Sequence, residues 1–502
     1  MNRPAQVIDK NRQLGLLHQL RRGGSVQTPG LSDEVILRFL ATDPALAVAI
    51  DRASAESRAI ERAYPELLTL DEAEQTRRVQ EGYVNFYAAD AVNPYVAVAA
   101  QGPWIVTLKG AVIYDCGGYG MLGLGHAPEI VLDAMNQPHV MANVMTPAVS
   151  QMRFIDALRK ELGHTRGGSP FTRFLCLNSG SEAVSVAARI ADIATKHMTD
   201  PGGRYEGCTV RGLTLRGSFH GRTDRPARHS HATQKKYREH LASFRQNDYL
   251  LTVEPNDIKS LEEVFAKAEK DREFIEAFFM EPVMGEGNPG QAVTPEFYRR
   301  ARELTEQHGC LFLVDSIQAG LRAHGVLSIV DYPDFGDLPA PDMETYSKAL
   351  NAGQFPLSVL ALSGRATTLY QPGIYGNTMT SNPRALDVAV TVLESVTPNL
   401  RANIRSGGKR LLERFSVLAH DMDNAITRVQ GTGLLLSCEL GPRYKCFGEN
   451  STEEYLRRHG LGVIHGGANS LRFTPHFRIS DAESDLIVEL TRDALMNGPV
   501  IA

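Results

Sequence analysis

The chain has 502 residues, 43% hydrophobic and 22% charged, with 53 basic and 58 acidic residues and a formal net charge of -5. That is an ordinary globular composition for two or three domains, and it argues against a basic nucleic-acid arm or a membrane-surface helix. Six cysteines (Cys116, Cys176, Cys208, Cys310, Cys438, Cys446) make no CxxC pair, so a zinc centre, indeed any metal site, and a disulfide framework are not expected. No window reaches the uncharged apolar run of a membrane span, and the opening MNRPAQVIDKNRQLGLLHQL lacks a signal-peptide core. A soluble cytoplasmic protein in a reducing compartment is the expectation.

Residues 1–90 read as a helical amino-terminal extension. ILRFLATDPALAVAIDRASAESRAIERAY carries apolar residues at helical spacing, interrupted at Pro44 and Pro65. No chemistry is evident there. From 91 to 150 the texture turns β-rich: NPYVAVAAQGPWIVTLKGAVIYDCGGYG has short apolar runs between glycine turns, as in the first part of a small domain. Between 151 and 385, the runs FTRFLCL, FIEAFFMEPV, GCLFLVD and SVLALS alternate with amphipathic stretches such as SEAVSVAARIADIATKHM and TPEFYRRARELTEQHG. Such alternation predicts an α/β class domain, doubly wound on a mainly parallel sheet. Residues 386–502 read as a smaller α+β domain with a last helix from about 480.

Ligands of doubly wound sheets gather at the carboxyl ends of the strands. After FLCL comes Asn178-Ser179-Gly180-Ser181-Glu182, opening a helix. It is either a plain serine cap or a cradle for an anion at the helix dipole. After TLRG comes Ser218-Phe219-His220-Gly221-Arg222, either a buried loop aromatic or a platform for a flat ligand. After FFM, Glu281 and Glu286 flank a glycine-marked loop, and after LFLV comes Asp315-Ser316-Ile317-Gln318. A strand-end aspartate either caps the next turn or pairs with a cation. Later, ETYSKALNAG holds Lys348, and a hydroxyl-rich turn holds Thr378. Taken alone, Lys348 reads as an exposed loop lysine.

None of these features is specific by itself, but their order is. A phosphate-type helix start, an aromatic platform, a strand-end aspartate and a later lysine in a glycine-bounded loop suit pyridoxal 5'-phosphate. The lysine forms a Schiff base with the aldehyde, the aspartate keeps the ring nitrogen protonated, and the helix start holds the phosphate.

With these residues the chain resembles the class III (ω-type) aminotransferases of PLP-dependent fold type I, over about residues 94–500. The resemblance rests on Asp115–Pro128 (DCGGYGMLGLGHAP), Ser179-Gly180-Ser181-Glu182, Phe219-His220-Gly221-Arg222, Glu281-Pro282-Val283 with Gly285-Glu286-Gly287, Asp315 to Gln318, Ser347-Lys348-Ala349-Leu350, Thr378, and Leu471-Arg472-Phe473-Thr474-Pro475. It implies Lys348 and Asp315 as the catalytic pair. Ser179, Gly180, Ser181, Phe219, His220, Glu281 and Gln318 would complete the cofactor site, with Phe219 on the ring and Gln318 near its phenolic oxygen. Thr378 would reach the phosphate of a neighbouring subunit's cofactor. Arg472 would grip a substrate α-carboxylate, Glu286 would neutralise Arg472 when an uncharged or cationic donor enters, and Tyr119 would lie beside the substrate.

The resemblance further implies a homodimer with composite sites, a small-molecule amino donor with a terminal amine (an ω-amino acid or diamine), and a keto-acid acceptor such as 2-oxoglutarate. An aminomutase or decarboxylase would use the same cofactor residues. A non-catalytic protein of this fold would be expected to lose Lys348 or Asp315, and a nucleotide-binding dehydrogenase would need a GxGxxG that is absent. The chain departs from the family pattern at Ser316, Met284, Thr380 and Ser381, positions expected near the substrate.

Overall fold

The structure is a computed structural model and describes residues 8–141, 144–245 and 248–501. Residues 1–7 of the amino-terminal segment and 142–143 lie outside the described residues. The strands in chain order are β1 (Ala97–Gln101), β2 (Trp104–Thr107), β3 (Val112–Asp115), β4 (Arg173–Leu177), β5 (Thr209–Leu215), β6 (Leu250–Val253), β7 (Glu273–Met280), β8 (Leu311–Asp315), β9 (Met343–Tyr346), β10 (Ser358–Leu362), β11 (Ile426–Thr432), β12 (Leu435–Leu440), β13 (Leu461–Gly462), β14 (Ile464–Gly466) and β15 (Ser470–Phe473).

The central sheet has seven strands in the order β4-β10-β9-β8-β7-β5-β6. Only β10 runs against the others; the remaining pairs are parallel. Its middle strands are buried on both faces because helices cover both: every residue of β8, β9 and β10 is buried. Connections of this kind bring the carboxyl ends of β5, β7, β8 and β9 to one rim, where the residues after each strand face one another.

Two four-stranded sheets flank this domain, β1-β2-β3-β13 and β11-β12-β15-β14. The first is completed by β13 from the far end of the chain, so the amino- and carboxy-terminal parts share one core. The amino-terminal helices Lys10–Leu20, Asp33–Leu40 and Pro44–Ala63 pack Leu17, Ile36, Phe39, Leu46 and Ile50 into that same core. Pro44 and Pro65 each occupy the first turn of a helix, where a missing N–H costs nothing. Polar ties fix the docking: Trp104 Nε1 donates to Asp43 at 2.6 Å, and the buried Lys109 ammonium donates to the carbonyls of Arg22 and Gly23 at 3.3 and 2.6 Å. Phe39 packs on Trp104 with ring centroids 4.9 Å apart.

Candidate active site

At the sheet's carboxyl rim a cavity of about 190 Å³ is lined by residues that include Ser179, Gly180, Ser181, Phe219, His220, Glu281, Asp315, Gln318 and Lys348. These come from the ends of β4, β5, β7, β8 and β9.

Lys348 follows β9 in a short helical turn, Lys348–Asn351, with φ +45. A lysine in the left-handed region is strained, and such strain persists only where the surroundings over-determine it. Its amine is pushed down to about 8, first by burial and then by the positive charge of Arg472. The Nζ lies 5.9 Å from the ring centroid of Tyr119.

Asp315 ends β8 and is 4% exposed. Its Oδ2 meets His220 Nδ1 at 2.8 Å, and its Oδ1 accepts from Thr345 Oγ1 at 3.0 Å and from the Ile317 N–H at 3.2 Å. The turn-capping bond to Ile317 therefore coexists with the contacts to His220 and Thr345. His220 Nε2 in turn lies 3.0 Å from Thr214 Oγ1, so the carboxylate is held by a buried chain running back into β5. An acceptor oriented this way suits a protonated ring nitrogen.

Glu281 is buried, and burial raises its carboxyl to about 7. Its oxygens accept from the N–H groups of Phe219 at 2.9 Å and Gly285 at 3.0 Å, tying two loops together. A Cβ on Gly285 would lie 2.2 Å from Gln318 Cδ, so only glycine lets Gln318 reach the cavity. Across the cavity, Ser179 caps the helix Gly180–Thr199 by accepting from the Glu182 N–H at 3.2 Å. The cap leaves the N–H groups of Gly180 and Ser181 without intrahelical partners at the positive end of the helix.

Arg472, on β15, is fully buried. Its Nη1 donates to Gly285 O, to Glu286 Oε2 at 3.1 Å and to Gln318 Oε1 at 3.4 Å. Its Nε and Nη2 have no hydrogen-bond partner among the described residues. A buried guanidinium with free donors calls for an anionic ligand. Tyr119 (φ +53) bridges the two cations: the Arg472 guanidinium lies 5.3 Å from the same ring that faces Lys348.

Thr378 is exposed and does not line the cavity. Its loop is nevertheless tied to the helix start, because Tyr375 Oη and Asn377 Nδ2 donate to Glu182 Oε1, the latter at 2.8 Å. Ser316 and Met284 turn away from the cavity. Ser316 follows Asp315 with its side chain on the opposite side, where its hydroxyl donates to the fully buried Glu344 at 2.5 Å. Met284 is packed in the core.

Three contributors were not singled out from sequence. Thr345 is paired in register with Asp315 across β8 and β9, a relation only the sheet creates. Arg222, part of a recognised motif, sets its guanidinium 5.2 Å from Phe219 and 5.8 Å from Tyr87. Tyr87 stacks on Tyr119 with centroids 6.1 Å apart, and no local pattern marks it. Among the described residues no group of three or more His, Cys, Asp or Glu side chains is arranged to hold a metal ion.

The donor set fits pyridoxal 5'-phosphate: an amine, a carboxylate set to accept a ring N–H, an aromatic face and a helix start share one cavity. Comparison with known proteins gives the same answer. Residues 86–495 match the family model described as Aminotransferase class-III. The acetylornithine aminotransferase of Neisseria meningitidis serogroup B is 30% identical over 401 residues, covering 78% of this chain and 92% of that protein. Ornithine aminotransferase 2 of Staphylococcus aureus is 28% identical over 404 residues, covering 80% and 93%. A crystal structure of the ornithine aminotransferase from Toxoplasma gondii superposes with a TM-score of 0.71 at 23% identity, covering 87% of this chain and 98% of that one, a likeness of fold. The chain belongs to the class-III aminotransferases, enzymes of PLP-dependent fold type I whose cofactor is pyridoxal 5'-phosphate.

Proposed function

We propose that this aminotransferase takes its amino group from a donor with a terminal amine, in keeping with relatives named for ornithine and acetylornithine, and passes it to a keto acid such as 2-oxoglutarate. The observation that carries this reading is the buried Arg472 with its two unpartnered nitrogens and its 3.1 Å contact to Glu286. A free guanidinium fork receives the α-carboxylate of the acceptor; Glu286 offsets the charge when the donor presents none.

The bound cofactor supplies an aldehyde that takes up the donor amine and a ring that withdraws electrons from the carbon bearing it. Lys348, its amine lowered to about 8 and so half neutral at that pH, would remove the proton from that carbon and return it to the carbon on the other side of the nitrogen, the former aldehyde carbon. Asp315, anchored by His220 and Thr345, would hold the proton of the ring nitrogen. Ser179, Gly180 and Ser181 would hold the phosphate by their hydroxyl and N–H groups, and Phe219 would offer its face to the ring. Gln318 serves the phenolic oxygen, Glu281 keeps the Phe219 and Gly285 loops in place, and Tyr119 closes the substrate side.

Thr378 serves the phosphate of a second copy's cofactor, which makes the working unit a homodimer. Exposed Val140, Met141, Met152 and Met379 offer apolar surface for it. The domain division follows the breaks near 90, 150 and 385. The cytoplasm is the assigned compartment, on the six unpaired cysteines. Among the described residues no helix is long and apolar enough to cross a membrane.

The test follows the visible absorbance of the holoenzyme. A terminal-amine donor is expected to bleach the band and 2-oxoglutarate to restore it. Arg472→Ala is expected to slow the restoration about 30-fold or more, the cost of removing one member of a buried charge pair. Unchanged 2-oxoglutarate turnover in that variant would remove Arg472 from the role.

A further inference from the structure

Outside the inner cavity lies a vestibule of about 930 Å³. Glu286 lines it and also contacts Arg472 in the site; Tyr87 lines it and also stacks on Tyr119, over Lys348. The vestibule is therefore separated from the reacting end only by the wall that Glu286, Tyr87 and Tyr119 form. Its volume is at the upper end for sites that hold drug-sized ligands, far beyond a five-carbon amine.

Its charge is uneven. Arg222, Lys235, Lys236 and Arg238 line it, against Asp90 and Glu286. Among the described residues, no carboxylate forms an ion pair with any of these four cations, although Glu239 stands one helical turn beyond Lys235. Elsewhere helical lysines pair in that way: Lys196 with Asp200, Lys259 with Glu263, Lys267 with Asp271 and Lys409 with Glu413. Arg222 is held in place by the faces of Tyr87 and Phe219. Four cations lining one open cavity next to an amine-transfer site raise the local concentration of an anion. Three of them come from one short stretch, Lys235 to Arg238, a density suited to a multiply charged group more than to one carboxylate.

We propose that the vestibule binds a phosphate or diphosphate group carried by the amino donor, remote from the amine that is transferred, through Lys235, Lys236, Arg238 and Arg222. The inference rests on the transaminase reading and deepens it, turning the donor from a free diamine into a phosphorylated amine. Tyr87 gives the amino-terminal segment a part in specificity, as one wall of the passage between phosphate subsite and Lys348.

Inorganic diphosphate is the probe, titrated calorimetrically into the holoenzyme, whose own phosphate site is filled. Binding is expected in the submillimolar range, competitive with the amine donor, and at least tenfold weaker in Lys235→Gln/Lys236→Gln/Arg238→Gln. The control Lys259→Gln/Lys409→Gln, which removes paired lysines from other helices, is expected to leave it unchanged. Absence of diphosphate binding, or equal binding in the triple variant, would overturn the proposal. So would an equal loss in the control, which would mark general surface charge, or citrate binding as tight as diphosphate, which would mark a carboxylate subsite. Failure of the transaminase reading is seen separately, as a holoenzyme whose visible band no donor bleaches.

Discussion

The inner cavity and the vestibule beside it treat charge in opposite ways. Inside, the carboxylates are engaged, Asp315 by His220 and Thr345 and Glu281 by two backbone N–H groups, and Arg472 is held by Glu286 while its Nε and Nη2 have no partner among the described residues. Outside, Lys235, Lys236 and Arg238 line open space with no carboxylate partner among the described residues. Burial explains the difference. A charge withdrawn from water needs a partner, so the inner carboxylates are locked into one arrangement and the free donors of Arg472 await an anion. Exposed charges are solvated, so the outer groups are free to vary with the ligand. The inner cavity fixes the reaction, and the outer one is where a donor is selected.

The largest effect that would sharpen this contrast is expected at Lys348. Lys348→Ala should lower kcat/KM by at least about 10³-fold, since general-base and nucleophile roles are lost together. The vestibule triple variant, by contrast, should act on donor affinity. Single-turnover rates with a small terminal amine would separate the two, and a Lys348→Ala enzyme within tenfold of the parent would break the distinction.

A second test uses pH. Because burial and Arg472 lower the Lys348 amine to about 8, it is half neutral at that pH and mostly neutral and reactive above it. Cofactor uptake by cofactor-free protein should rise with pH and level off just above 8, whereas an ordinary lysine would keep gaining reactivity past 10. Removing the Arg472 charge should move the midpoint up. A midpoint near 10 in the parent would contradict the electrostatic picture of the inner cavity.

The smallest effect is expected behind the cavity. Glu344 is fully buried and its carboxyl is raised to about 7 by burial. Its folded value exceeds the ordinary value of 4.5, so the folded state binds the proton more tightly between the two. Its contribution to stability is therefore present below pH 4.5 and declines as pH rises to 7. Glu344→Gln lacks that slope. The difference in Tm between parent and variant should narrow from pH 5 to pH 7.5, and a constant difference would mean that Glu344 stays ionised throughout.

How much of this was legible in the sequence differs by residue. Apolar runs with β-branched and aromatic residues marked β7, β8 and β10, and the mainly parallel sheet followed from their alternation with helices. The antiparallel placement of β10 did not follow, because strand direction leaves no trace in a fully apolar run. Asp315 stood out as a polar residue closing an apolar strand, whereas Lys348 alone read as an exposed loop lysine and was singled out by the order of the motifs around it. Ser316, expected near the substrate, faces Glu344 instead, because consecutive side chains at a strand end point opposite ways.

The sequence by itself determined the family, the cofactor and the residue types at each strand end, because those are local: a strand, a turn and a helix start each carry their own signature. Tertiary structure alone decided which of these ends share a cavity, that Thr345 steadies Asp315, and that Tyr87 from the amino-terminal segment lies over Tyr119. Such pairs are separated by tens or hundreds of residues and meet only when buried apolar faces draw the sheets and helices together. Contact between distant residues is a property of the packed core and has no local code.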